Sequence, residues 1–260
     1  MRYVTRSFFI AAALVIAAAS QAMADIRVGV AAEPYPPFTS KDASGQWVGW
    51  EIDAMNAICA EMKEKCVIVE TAWDGIIPAL TAKKIDVIFA SMSKTPKRKE
   101  VIGFSDSYYN TAIVMAGAKT GDMDISPDHL AGKTLGAQVS TLQAAYLDKY
   151  YAKTSTIKTY QTQDEANADL AAGRLDGVLS NALTLAAFIG SDQGACCEIK
   201  ATVPFDAEII GEGVGAGLRK EDVDFAKKIN TAIAALAKAG AFDEISAKHK
   251  LTGTLITPKG

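Results

Sequence analysis

The sequence is short of histidine: His129 and His249 are the only two among 260 residues, far apart and in no local motif. That scarcity leaves no histidine pair at metal-ligand spacing and no recognisable triad. Also missing are a Walker A loop, a dinucleotide-binding glycine fingerprint behind a strand, and a G-x-S-x-G elbow. Nothing in the chain asks for a cofactor or for nucleotide or acyl-transfer chemistry. Basic residues are not in excess either. With 27 lysines and arginines against 30 aspartates and glutamates the formal charge is −3, and no basic stripe marks a nucleic-acid surface. No Pro/Ser-rich linker or low-complexity tract divides the chain, which favours two lobes joined directly by strands over beads on a tether.

Long apolar runs are lacking as well. The stretch from Phe8 to Ala19, preceded by Arg2 and Arg6, is too short to span a bilayer. It is followed by Ala22-Met23-Ala24, the small residues a signal peptidase needs. Residues 1–24 therefore read as a cleavable signal peptide, and the mature chain from Asp25 as an exported protein.

Cysteine is sparse, and all four residues lie in the exported part, where disulfides form. Cys59 and Cys66 stand seven apart across the end of a predicted helix, a spacing that a bridge can span. Cys196 and Cys197 are adjacent. Three pairings exist on paper, of which Cys59–Cys66 is favoured. The adjacent pair is open between a strained vicinal disulfide and two thiols. Zinc is a weak alternative, because neither histidine completes a ligand set with either pair.

What is present alternates. "IRVGVAA" is a strand ending at "EPYPPF", whose prolines stop regular pairing. "EIDAMNAICAEMK" places Ile52, Met55, Ile58, Cys59 and Met62 on one helical stripe. Asp74 is expected to cap the helix "GIIPAL", and "IDVIFA" returns as a buried strand. This order implies right-handed crossovers and a largely parallel α/β sheet. The pattern then restarts at "GKTLGAQ". Leu80–Ser91 lines up with Leu170–Asn181 at an offset of 90, each stretch a helix end, an apolar-Asp pair and a buried strand. Near the end, Phe225, Ile229, Ile233 and Leu236 line one face of a long helix closed by Gly240.

Ligands of open α/β sheets sit at the carboxyl ends of strands, where Ser91 and Ser93 fall. Arg98 adds a planar fork suited to a carboxylate. In the second half, Ser140 and Thr141 open a helix N-terminus, a second anion-binding feature. Tyr35 and Trp73 follow two other strands and suggest aromatic walls around a ligand.

With these residues in place, the chain resembles the polar-amino-acid-binding proteins of ABC importers, the lysine/arginine/ornithine-, histidine- and opine-binding type. The resemblance spans essentially the mature chain through "EPYPPF", "VGWEIDAMNAIC", "WDGIIPALTAKKIDVIFASMSKTPKR", "GFSDSYY", "LDGVLSNA" and "GVGAGLRKED". It implies a two-lobed type II periplasmic-binding-protein fold, with lobe 1 at residues 25–110 and 211–260 and lobe 2 at residues 111–210. The lobes would close about crossings near Tyr109–Ala112 and Glu208–Gly213. It also implies that Arg98, Ser93 and Thr141 hold an α-carboxylate while Ser91 adds polar contacts. Tyr35 and Trp73 would flank the ligand side chain, with Gln138 nearby, and the Cys59–Cys66 spacing matches the family's disulfide. Two positions depart from the pattern: Asn181 stands where many members have an aspartate for the α-ammonium, and Ala90 where a serine is common. Asn181 resembles the opine-binding branch, and Glu33 is a candidate for the missing negative charge. The expected function is a monomeric, cofactor-free carrier delivering a basic amino acid or an arginine-derived opine to an ABC permease. The alternatives are glutamine or histidine as ligand, and a cyclohexadienyl dehydratase-like enzyme on the same fold.

Overall fold

A computed structural model describes residues 25–121 and 124–258. The expected signal peptide at residues 1–24 lies outside the described residues. Strand β1 (Ile26–Ala31) runs into the proline-bearing loop, a small hairpin of β2 (Ser40–Lys41) and β3 (Trp47–Val48), and helix α1 (Trp50–Glu61). Then come β4 (Cys66–Thr71), a 3-10 turn (Trp73–Gly75), α2 (Ile76–Thr81), β5 (Val87–Ile88), α3 (Pro96–Lys99) and β6 (Gly103–Tyr109). The second group holds β7 (Ile113–Ala118), β8 (Thr134–Gln138), α4 (Leu142–Tyr150), β9 (Thr156–Tyr160) and α5 (Gln163–Ala171). It continues with β10 (Gly177–Asn181), α6 (Ala182–Ile189), β11 (Cys197–Thr202) and α7 (Ala207–Ile210). Strand β12 (Val214–Leu218) and helices α8 (Val223–Ala239) and α9 (Ala241–Lys248) complete the order.

Two five-stranded sheets result, β4-β1-β5-β12-β6 and β9-β8-β10-β7-β11. In each, four strands run one way and one is reversed: β12 in the first, β7 in the second. The reversed strand is in each case the one by which the chain arrives from the other sheet. Each sheet has an apolar core on both faces. In the first, α1, α8 and α9 cover one side and α2 the other; in the second, α4 and the pair α5 and α6 do the same.

The repeat now has a physical cause. Asp86 accepts a hydrogen bond from the Arg27 N–H at the start of β1, and its own N–H donates to the Arg27 carbonyl. Asp176, ninety residues on, makes the same exchange with Thr134 at the start of β8. The apolar residue before each aspartate packs against a glycine of the neighbouring strand. A Cβ on Gly29 would lie 2.3 Å from Ile85, and one on Gly136 2.5 Å from Leu175. Polar anchor and packing knob together fix the central strand of each sheet.

The helical stripe of α1 is buried as its spacing predicts, and Gly240 ends α8 in the left-handed region at φ 75°. Cys59 and Cys66 are bridged, tying the end of α1 to the start of β4. Cys196 and Cys197 form a vicinal disulfide rather than two thiols. Two details differ from expectation. Asp74 does not cap α2, because the 3-10 turn runs straight into the helix and the Ile76 N–H is taken by the Trp73 carbonyl. The strand "IDVIFA" is buried at its apolar positions, but only Val87 and Ile88 have ladder geometry, and the chain beyond them passes to the cavity lining at Ala90 and Ser91.

Candidate ligand-binding site

The carboxyl ends of β1, β4, β5, β8 and β10 face one cavity between the two sheets, enclosing about 820 Å³ with its mouth included. Glu33, Tyr35, Trp73, Ser91, Ser93 and Arg98 line it from the first sheet, and Gln138, Thr141 and Asn181 from the second. Ser140 is the exception. It lies beside the cavity and contributes its carbonyl, which accepts from Trp73 Nε1 and from Arg98 Nη2, each at 3.3 Å. Its backbone is in the left-handed region at φ 59°. The two sheets also meet through the Tyr35 hydroxyl and Ser180 Oγ, 3.4 Å apart.

Arg98 projects from α3, whose start is fixed by Thr95 capping the Arg98 N–H. Its guanidinium donates to the Ser93 carbonyl at 3.0 Å and lies 5.1 Å from the Trp73 ring centre. One indole face is thus occupied by Arg98. No carboxylate among the described residues lies within ion-pair distance of this cation. Burial pushes Arg98 down to about 10, which leaves it charged at neutral pH. A charged fork with only neutral acceptors is short of an anion.

Glu33 is the one carboxylate among the described residues lining the cavity. Its Oε1 accepts from the Trp73 N–H at 3.0 Å, while its Oε2 is buried without a partner among the described residues. Asn181 ends β10 and caps α6: its Oδ1 accepts from the Leu183 N–H at 2.9 Å and contacts the Thr111 hydroxyl at 3.4 Å. Capping needs the amide oxygen, so Nδ2 is the group left over, and it donates to nothing among the described residues. Thr141 caps α4 through the Ala144 N–H and donates to the Gln138 carbonyl at 2.6 Å. Gln138 is held by the Gln161 carbonyl.

Glu51 lies beneath the cavity floor, fully buried, and sequence reading does not single it out. On α1 it sits beside the apolar stripe and looks like an ordinary polar position. Its carboxylate accepts from the Ser91 N–H at 2.9 Å, the Ser91 hydroxyl at 2.7 Å and the Tyr108 hydroxyl. Burial pushes Glu51 up, opposed by those Tyr108 and Ser91 hydrogen bonds. Burial likewise raises Tyr35, Tyr108 and Tyr109. Ser180, Thr39 and Gln163 also line the cavity unforeseen; only Ser180, adjacent to Asn181, had a signal within reach.

Residues 26–252 match the family described as bacterial extracellular solute-binding proteins, family 3. The chain belongs to that family. It is 37% identical over 230 residues to the L-arginine-binding protein of Pseudomonas aeruginosa, covering 86% of this chain and 87% of that one. It is 38% identical over 236 residues to the octopine-binding periplasmic protein of Rhizobium meliloti, covering 81% and 79%. An ancestral arginine-binding protein solved with arginine bound superposes with a TM-score of 0.78 at 32% identity, over 86% of this chain and 97% of that chain. These relatives are binding proteins, and the two-sheet α/β architecture is the family's own.

Proposed function

We propose that this protein is a monomeric, non-enzymatic periplasmic carrier, released by cleavage after Ala24, that delivers a basic amino acid to an ABC permease. The observation that carries the reading is Arg98: a half-buried guanidinium in the cavity with no carboxylate partner among the described residues. An α-carboxylate supplies the missing anion, with Ser93 and Thr141 beside it. Glu33 offers its unpartnered Oε2 to the cationic end of the ligand, and Tyr35 and the free part of Trp73 line its stem. The arginine-binding relatives support this assignment.

A second reading rests on Asn181. Its Nδ2 is a donor where an α-ammonium would want an acceptor, so it suits a carboxylate carried on the ligand's α-nitrogen. An arginine-derived opine has that group, and the octopine-binding relative supports it. A dehydratase-like enzyme would need an acid or base above the clamp, and Glu33 is the candidate for it. The test is calorimetry of the chain from Asp25 with arginine, followed by mass analysis of the recovered ligand. One equivalent bound and returned unchanged is expected; a chemically altered product would contradict the carrier reading.

A further inference from the structure

Ser91 stands at φ 53°, a left-handed conformation that a non-glycine residue adopts only when something holds it there. What holds it is Glu51. Both polar hydrogens of Ser91, on the backbone nitrogen and on the hydroxyl, point to the two oxygens of that one buried carboxylate. Once its proton is committed to Glu51 Oε2, the Ser91 hydroxyl has only lone pairs to offer the cavity it lines. The Tyr108 hydroxyl supplies a third hydrogen bond, and three donors converging on one carboxylate favour its ionised form against the burial that raises it. A protonated Glu51 would have to turn one of these bonds around.

We infer that Glu51 is a positioning residue that fixes Ser91 as a hydrogen-bond acceptor for the ligand's α-ammonium. It takes over, through the floor of the cavity, the acceptor role that Asn181 gives up by spending its oxygen on the α6 cap. This rests on the amino-acid-binding reading above. With Arg98 for the carboxylate, Ser91 backed by Glu51 for the α-ammonium and Glu33 for the distal cation, each charge of a basic amino acid meets its complement. The secondary ammonium of an opine keeps N–H groups and is served by the same acceptor.

The test compares L-arginine with its des-amino analogue, 5-guanidinopentanoate, in wild type, Glu51→Gln and Ser91→Ala. Wild type should prefer arginine by about 10- to 100-fold, the range of one hydrogen bond to a charged group. Both variants should lose most of that preference by weakening arginine while leaving the analogue nearly unchanged. A merely structural role for Glu51 would weaken both ligands alike, and that result overturns the inference. If Glu51→Gln does not fold, Ser91→Ala still decides, because full preference retained without the hydroxyl excludes Ser91 as the acceptor. If wild type binds neither arginine nor any basic amino acid or opine, the functional reading fails first, and the inference falls with it.

Discussion

Arg98 donates to the carbonyls of Ser93 and Ser140 and faces no carboxylate among the described residues. If a ligand carboxylate completes it, Arg98→Ala leaves that charge buried and unpaired, and calorimetry should show affinity falling by about 2–5 kcal/mol. Arg98→Lys should recover only part, because an ammonium has no two-pronged fork and stacks less well on Trp73. Near-normal binding by the alanine variant would return Arg98 to a structural role. The sequence made Arg98 visible because a guanidinium after a strand-end serine run is unusual chemistry. It could not show that Trp73 would spend one face on Arg98, since that contact depends on where two loops meet. Glu51 was illegible for a similar reason: its partners Ser91 and Tyr108 are 40 and 57 residues away.

At the scale of elements, the apolar-Asp pairs at Ile85–Asp86 and Leu175–Asp176 were legible as a repeat, and the register explains them as strand anchors. The expected Asp74 cap failed because propensity names the residue but not the 3-10 turn that takes its place. The Cys59–Cys66 bridge closes a short loop between α1 and β4. Its removal in a Cys59→Ala/Cys66→Ala variant should cost about 2–3 kcal/mol by urea unfolding, on the chain-entropy account. The return crossing from the second sheet carries Asp206, which accepts from Lys149 and Tyr150 of α4. Those bonds hold its carboxyl down at about 2. A depressed folded-state value stabilises above the ordinary carboxylate range, and that contribution is lost as pH falls toward about 2. Asp206→Asn should therefore flatten the acid side of the stability profile between about pH 4 and pH 2, measured by thermal unfolding at stepped pH.

For the whole molecule, the bonds from Trp73 and Arg98 to Ser140 and from Tyr35 to Ser180 join the two sheets across the cavity mouth. We place the hinge at the two crossings near residues 109–112 and 208–213, so that these contacts form as the lobes close on a ligand. Small-angle scattering should then show a smaller radius of gyration at saturating ligand than without it; no change would argue against closure. The central claim is a cavity built for a basic amino acid or an opine derived from one, and a thermal-shift panel tests it most directly. Ligand at about 100 times its dissociation constant adds about 2.7 kcal/mol of stability, enough to read clearly. Arginine, ornithine, lysine or octopine should give the largest shift, with glutamine and histidine below them. Glutamate or an aliphatic amino acid giving the largest shift, with none from the cationic compounds, would contradict it.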